Sequence, residues 1–313
     1  MIKNVKITPI ILVLFDIILI FSLSLLFYLS RPIDTSRVVY IPKGSVSEII
    51  AYLSDRNFKL SIIDNFVVRA YGHIQSGWID MRQTKLSRLD FLKRLTTAKA
   101  AMGEITLVPG ETAEVFLRQV AKDYELNHEI LLKYYYELSP IKDGFLVPDT
   151  YKIPLGMSEH HLVRHLMQIA TNVHQNLSKK VYGEYNQRRW EKILVIASII
   201  QKEAASIDEM PLVSSVIYNR LEKRMKLQMD GTLNYGIYSH EKITAQRIRQ
   251  DDSEYNTYKI DALPPAPICA VSIDAIKAAI NPAKSDYLYF VLDRKTKKHR
   301  FSKTLSEHNA NMK

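Results

Sequence analysis

The sequence predicts an α+β protein that follows a single N-terminal membrane-spanning helix. Three observations support this fold class. About 20 almost wholly apolar residues come near the start of the chain. Short strand and helix patterns then alternate, which is typical of a small α/β module. A third pattern, a long aliphatic helix among amphipathic helices and a C-terminal hairpin, predicts a mixed helix-and-sheet domain. At 313 residues, the chain is long enough for two domains and an anchor.

The apolar segment Ile10–Leu29 is preceded by Lys3 and Lys6 and contains one charged residue, Asp16. A cleaved signal peptide is the alternative to a retained anchor. Its apolar region has about 7–15 residues, and this segment is longer, so the retained anchor is favoured. Positive charge before the segment predicts a cytoplasmic N-terminus, with the rest of the chain on the far side of the membrane.

A weak internal repeat organises the next part of the chain. Residues 38–57 read as a strand, a Pro-Lys-Gly-Ser turn and a helix, and residues 104–122 repeat this order around Pro-Gly-Glu-Thr. Between the copies, residues 74–81 predict a strand and residues 86–95 a helix, with Ser87 as a plausible N-cap.

Helices and turns alternate after the repeat. Residues 123–142 and 159–177 predict helices, and Pro211 precedes another amphipathic helix. Residues 255–260 alternate apolar and polar side chains, which predicts a strand. Pro264, Pro265 and Pro267 then exclude helix and central strand and predict a rigid loop. A short helix over 274–280 and a hairpin over 287–301 complete the chain.

The stretch Ile193–Ser206 carries the strongest chemical signal. On a helical repeat, Ile193, Ile196, Ile200 and Glu203 share one side, so a carboxyl group continues an apolar stripe. Poor solvation raises the pKa of a carboxyl group, and an acid that is still protonated near neutral pH suits general acid catalysis. The alternative is an ordinary polar residue in the last turn of a core helix.

Composition narrows the possible partners. A net charge of +10 suits an anionic surface such as phospholipid or an acidic polymer, whereas the scattered basic residues and missing motif disfavour nucleic acid. The single cysteine, Cys269, rules out an internal disulfide framework. His161 and His165 share a helix face, but no third ligand accompanies them, so we predict no metal site and no cofactor.

The chain resembles the endolytic murein transglycosylases of the MltG (YceG-like) family. The resemblance rests on the order of motifs along the C-terminal two-thirds, after a membrane span and a LysM-like repeat. These motifs are Gly144 with Pro148–Tyr151, Ala197–Glu203, Asn219–Leu221, Leu227-Gln228 with Asp230, Tyr235-Gly236, Tyr255–Tyr258, Leu263–Pro265 with Pro267-Ile268, Tyr287–Val291, and His308-Asn309.

The resemblance implies an anchor over residues 1–33, a LysM-like region over 34–125 and a catalytic domain over 126–313. It implies cleavage inside MurNAc–GlcNAc strands of peptidoglycan, with 1,6-anhydroMurNAc ends, and it places the catalytic glutamate on Glu203. Because the sugar's own 6-hydroxyl attacks, one carboxyl group serves as acid and then as base, where ordinary glycosidases need two. The residues expected to bind substrate are Gln228, Asp230, Tyr235, Asn256 and Tyr258.

Three departures from the family pattern bear on the site. Gln201 stands where many members have glutamate, but it points away from the apolar stripe, so we expect Glu203 to be the acid. Ala262 and Ala266 flank the Pro-Pro loop where glycines are frequent. Gly231 follows Asp230 where proline is common.

Two other functions fit parts of the pattern. A non-catalytic, membrane-anchored murein-binding scaffold would use the LysM-like region and would not need Glu203 in its apolar setting. A water-using muramidase would need a second carboxylate opposite Glu203, and Asp230 is the candidate. A glycan-polymerising synthase as partner is implied only by the family.

Overall fold

A computed structural model describes residues 7–312, and Lys3 and Lys6 lie outside this range. The chain divides into two compact units. The first runs through Gly103 and includes Lys152–Gly156, and the second comprises Glu104–Tyr151 and the residues from Met157 onward. Helices and two-stranded sheets make up both units, which confirms the mixed helix-and-sheet character.

The first unit contains an apolar helix followed by a small module of short strands and helices. Its elements are α1 (Ile7–Ser30), β1 (Pro32–Asp34), β2 (Val38–Ile41), α2 (Val46–Leu53), a π-helical turn (Ser54–Phe58), α3 (Ile62–Tyr71), β3 (Gly77–Asp80), β4 (Lys85–Ser87) and α4 (Arg88–Thr97). Strands β1 and β4 pair antiparallel, as do β2 and β3. Capping boxes at Ser45 and Ser61 begin α2 and α3, and Ser87 caps α4 as predicted.

Within α1, residues Ile11–Ser30 are long and apolar enough to cross a bilayer, and they form the one such helix in the described chain. The large side chains from Ile11 to Phe27 are mostly exposed. In contrast, the last turn packs onto the module, because Leu29 contacts its hydrophobic core. The sequence prediction of an apolar N-terminal helix is confirmed.

A buried polar cluster joins this last turn to α3 and α4. The Tyr28 hydroxyl donates to Asp64 Oδ2 at 2.8 Å and lies 2.7 Å from Ser61 Oγ. Arg88 Nη1 donates to the same Asp64 oxygen at 2.8 Å and to the Tyr28 hydroxyl at 2.9 Å. The Asp64 side chain is fully buried. The end of α1 is therefore an integral part of the module.

The second unit surrounds one central helix. The remaining elements in chain order are β5 (Met102–Leu107), α5 (Ala113–Asp123), α6 (His128–Leu138), β6 (Asp149–Pro154), α7 (Glu159–Tyr182), α8 (Gln187–Glu203), α9 (Met210–Glu222), α10 (Ala245–Gln250), α11 (Ile273–Ile280), β7 (Tyr289–Asp293), β8 (Lys298–Ser302) and α12 (Leu305–Asn311). Strands β7 and β8 form an antiparallel hairpin, and β5 pairs with β6.

Every residue from Ile193 to Ile200 in α8 is buried. A helix that is apolar on all sides belongs in the middle of a core, and α9 and α11 pack against it. The predicted stripe is thus one side of a helix that is enclosed all round, and Glu203 is its last residue.

The helix predicted over 123–142 is shorter in the structure, where α6 covers only His128–Leu138. Two further sequence predictions need correction. Residues 255–260 form successive turns rather than a strand, because the Asn256 side chain binds nearby backbone: its amide donates to Ile248 O and Asp251 O, and its oxygen accepts from Tyr258 N. The helix predicted over 159–177 continues to Tyr182 and ends at Gly183, a left-handed C-cap.

Candidate active site

Glu203 lies where the buried helix α8 ends and the chain returns to the surface. Its side chain is partly buried, and its Oε1 accepts a hydrogen bond of 2.7 Å from Gly231 N. The next residue, Ala204, already has an extended conformation. The carboxyl group is therefore held at a fixed place, with apolar protein behind it and a groove in front.

The surroundings of Glu203 favour its neutral form. Burial raises the pKa of this carboxyl group to about 7, the Gly231 hydrogen bond lowers it, and the nearby Asp230 carboxylate raises it further. Near neutral pH, a substantial fraction of Glu203 is therefore protonated. The sequence argument predicted a raised pKa from an apolar setting, and the structure provides that setting.

Gly231 allows the close approach of its backbone to Glu203. A Cβ atom at this position would lie 2.9 Å from Glu203 Oε1 and 2.7 Å from Lys202 Cβ. Both distances are shorter than ordinary van der Waals contacts, so any larger residue displaces the carboxyl group. Glycine is needed here for space, which the sequence alone did not reveal.

We therefore expect Gly231→Ala to misplace Glu203. A displacement on the order of 1 Å can cost about 100-fold in rate, so the variant should lose about that much of any activity that depends on Glu203. Kinetic assays should be combined with circular dichroism. Unchanged kinetics in a folded Gly231→Ala variant would contradict the importance of this contact.

A groove of about 360 Å³ opens in front of Glu203. Backbone and side chains on one side come from the loop that leads into the Asp230–Leu233 3₁₀ turn, and β7 and α12 form the other side. Its lining residues are Glu203, Arg220, Leu227, Gln228, Met229, Asp230, Tyr258, Tyr289, Phe290, Val291, Leu305 and His308. Aromatic rings, polar groups and one protonatable acid thus meet in one cleft.

Three of the five residues expected to bind substrate lie in this groove. Asp230 Oδ1 accepts a hydrogen bond of 2.6 Å from the Tyr258 hydroxyl. Burial, this hydrogen bond and the Asp230 charge raise the pKa of Tyr258, so its hydroxyl stays protonated. Gln228 has an exposed side chain and a left-handed backbone, with φ of 47°.

The other two residues lie elsewhere. Asn256 is fully buried, and its side chain holds the turns described above. Tyr235 stacks on Tyr255 with ring centroids 4.3 Å apart and lines a second groove of about 580 Å³, together with Tyr238 and Arg247.

The two grooves flank a pair of antiparallel segments. At one end Asp230 binds Tyr258, in the middle Thr232 Oγ1 and Thr257 Oγ1 are 3.0 Å apart, and at the other end Tyr235 stacks on Tyr255. Asn256 therefore fixes a segment that supports both grooves.

Sequence reasoning missed the wall opposite Asp230. The Arg220 side chain, which is almost fully buried, donates to Leu288 O at 2.6 Å and to Leu227 O at 2.7 Å, thereby joining the two sides of the groove. Its guanidinium lies over the Tyr289 ring, and that ring stacks on His308. These residues lie within motifs that carried the family resemblance, but no local pattern directed them towards Glu203.

Gln201 has a different task from Glu203. Its side-chain oxygen accepts a hydrogen bond from Ser272 N, the N-cap residue of α11. Ser198, one turn earlier, accepts from Ile268 N in the proline-rich loop. Gln201 thus points towards the loop and away from the groove, as expected from its position on the helix.

Comparisons with known proteins identify the family that the chain resembles. The model of the YceG-like family matches residues 39–313. An endolytic murein transglycosylase of Bacillus subtilis is 32% identical over 198 residues, which cover 63% of this chain and 54% of the relative. One of Streptococcus pneumoniae is 29% identical over 332 residues, covering 90% of this chain and 59% of the relative.

A crystal structure of a YceG-like protein from Listeria monocytogenes has a TM-score of 0.59 and 28% identity to this chain. The match covers 90% of this chain and 99% of that one. The alignments with the two transglycosylases span somewhat more than half the length of each of those relatives.

Proposed function

Because the chain belongs to the YceG-like family, we propose that it is an endolytic murein transglycosylase. It cleaves MurNAc–GlcNAc bonds inside peptidoglycan glycan strands and leaves 1,6-anhydroMurNAc ends. The observation that carries this proposal is Glu203, a carboxyl group with a pKa of about 7 that faces a groove lined by polar and aromatic side chains.

In the first step, protonated Glu203 donates its proton to the glycosidic oxygen as the bond to C1 of MurNAc breaks. The resulting carboxylate then accepts the proton of the MurNAc 6-hydroxyl while that oxygen bonds to C1. Glu203 ends the cycle protonated, so the reaction requires no second carboxylate and consumes no water. An intramolecular nucleophile also avoids the entropy cost of bringing in a second reactant.

We assign Gln228, Asp230 and Tyr258 to the orientation of sugars beside Glu203, since they line the same groove. The paired Asp230 and Tyr258 side chains offer a negative charge next to the sugar that becomes cation-like in the transition state. We assign Tyr235 to a more distant sugar, since it lines the second groove, and Asn256 to support of the shared segment.

The first unit is proposed to anchor and orient the enzyme. A retained anchor is supported by the length of α1, because residues Ile11–Ser30 are long and apolar enough to cross a bilayer. Cleavage after Tyr28 is also disfavoured, because it would remove a hydrogen-bonding partner of the buried Asp64–Arg88 pair. A LysM-like region that contacts glycan is supported by the order of elements from β2 to β3. In this segment a strand is followed by two helices and by a second strand that pairs antiparallel with the first. The second unit would face the cell wall, and a glycan-polymerising synthase is the proposed partner.

Chemical analysis of cleavage products tests the function. The full chain in detergent is incubated with purified peptidoglycan, and fragments are identified by mass spectrometry. We expect anhydro-ended fragments. Hydrated reducing ends would instead identify a muramidase, and bound glycan without fragments would identify a scaffold.

Asp230→Asn separates the transglycosylase from a muramidase. A second catalytic carboxylate would make its loss cost about 100- to 10,000-fold in rate. We expect a smaller loss, because asparagine can still accept the hydrogen bond of Tyr258 and only the charge that favours the cation-like sugar disappears. Loss of the negative charge should lower the pKa of Glu203, so activity should decline at a lower pH than in the wild type.

The pH–rate profile of this variant is the measurement, with Asp208→Asn, an exposed carboxylate, as the control. A collapse of activity at every pH in the Asp230 variant alone would favour the muramidase.

A further inference from the structure

Helix α3 of the first unit has an apolar face that no described residue covers. Ile62, Ile63 and Phe66 are exposed, with 71% of Ile62 and 67% of Phe66 accessible. Ala70 continues the same face at helical spacing and is also exposed. Asp64 and Val68, on the opposite side, are buried. Contiguous apolar faces on soluble surfaces usually mark an interaction site.

The position of α3 indicates what covers this face. Its N-cap residue, Ser61, has its hydroxyl 2.7 Å from that of Tyr28, and Tyr28 lies in the last turn of the apolar helix α1. A tyrosine at the end of a membrane span marks the headgroup level of the bilayer. From Ser61 to Phe66 the helix advances only about 8 Å, so the whole face lies close to that level.

The contact is rigid and does not depend on a flexible linker. Asp64 and Arg88 fix the Tyr28 hydroxyl from α3 and α4, and Leu29 packs into the core of the unit. One residue, Arg31, separates the end of α1 from the start of β1. The module is therefore held against the end of the span and cannot turn α3 freely away from the bilayer.

Exposed basic side chains lie at both ends of this apolar face and at the end of α1, as expected for a lipid-facing helix. Lys59 and Arg69 are exposed at its two ends, and Arg31 is exposed beside the ring of Phe27, 6.0 Å from its centroid. Helices that lie in the interface combine an apolar face with basic residues that contact anionic headgroups.

We propose that the Ile62–Ile63–Phe66 face of α3 inserts into the headgroup–acyl boundary of the same bilayer that α1 spans. The partner is thus an anionic lipid surface. This inference rests on the proposed retention of α1 as an anchor. It assigns α3 a second membrane contact, which fixes the height and orientation of the first unit above the bilayer.

Depth-dependent quenching of site-specific fluorophores tests the proposal. The full chain is reconstituted in vesicles of phosphatidylethanolamine and phosphatidylglycerol that contain quencher-labelled lipids. Single cysteines replace Ile63 or Phe66, Leu19 in α1 as the bilayer reference, and Lys43 as the reference for an exposed turn. Native Cys269 is buried, and the wild-type chain serves as the control for labelling at this cysteine.

We expect the labels at positions 63 and 66 to lie about 5–10 Å inside the headgroup boundary, the label at 19 deeper, and the label at 43 unquenched. The substitutions Ile62→Ser and Phe66→Ser are added to the Ile63→Cys chain and, separately, to the Leu19→Cys chain. They should reduce quenching of the label at position 63 and leave quenching of the label at position 19 unchanged.

Two outcomes would overturn the inference while leaving the anchor intact. With Leu19 in lipid, labels at 63 and 66 that stay unquenched would mean that the face is in water or covered by protein. Equal quenching at 43 and 66 would mean general surface association rather than insertion of α3. A label at Leu19 that is not in lipid would instead overturn the anchor itself, and the inference with it.

Discussion

Glu203→Gln is expected to lower glycan cleavage by about 100- to 10,000-fold, the range typical for loss of a general acid–base. Glutamine can still accept the hydrogen bond from Gly231 N, so the helix end and groove should keep their shape. What disappears is the transferable proton. Rates of formation of anhydro-ended fragments, measured for wild type and variant, check this expectation.

The exposed residue Glu222 in α9 offers a matched control. Glu222→Gln makes the same chemical change outside the groove and should leave cleavage unchanged. Substantial activity in Glu203→Gln would remove Glu203 from the reaction, whereas equal losses in both variants would point to damage unrelated to catalysis.

The raised pKa of Glu203 also predicts two pH effects. Activity of the wild type should fall as pH rises through about 7, because the initial acid loses its proton. Between the ordinary value of 4.5 and about 7, the folded chain holds a proton that the unfolded chain releases. The free energy of unfolding should therefore fall as pH rises through this window, and Glu203→Gln should lack this contribution.

Arg88→Ala is expected to destabilise the first unit by about 3–5 kcal/mol, as is usual when one partner of a buried ion pair is removed. The variant leaves the fully buried Asp64 carboxylate without its cation, although Tyr28 and Ser61 still donate to it. Denaturation of the full chain in detergent, combined with hydrogen exchange at α3 and α4, measures the effect.

Two further variants define the cause. Replacing both partners, as Asp64→Leu with Arg88→Met, should recover much of the lost stability, because no unpaired charge stays buried. Lys277→Ala breaks the exposed pair with Asp274 and should cost less than about 1 kcal/mol. Similar losses from Arg88→Ala and Lys277→Ala would show that the buried cluster is not special.

Local patterns predicted the helices well, since apolar spacing and capping residues act within a few positions. The Ser87 cap, the helix that ends at Glu203 and the C-terminal hairpin all follow from such short-range rules. The strand predicted over 255–260 failed because Asn256 binds backbone carbonyls five and eight residues earlier. Alternation of side chains contains no information about those contacts.

The candidate site shows the same limit. A raised pKa for Glu203 could be predicted because its apolar neighbours lie on the same helix. The approach of Gly231, 28 residues later, and the Arg220 bonds to Leu288 depend on tertiary packing. Similarly, the local sequence does not distinguish the positions of Tyr235 and Tyr258. The three-dimensional course of their segments places Tyr258 in the groove of Glu203 and Tyr235 in the second groove.

The packing of Leu29 and Tyr28 into the first unit has a consequence for reach. A flexible linker would let an enzyme sample a volume that grows with linker length, whereas a rigid connection keeps the enzyme at a fixed distance from its anchor. With α1 as the proposed anchor and Arg31 alone between α1 and β1, the first unit would stay at one distance from the lipid. Any change in the gap between membrane and wall must then be met elsewhere in the chain or by movement of the wall itself.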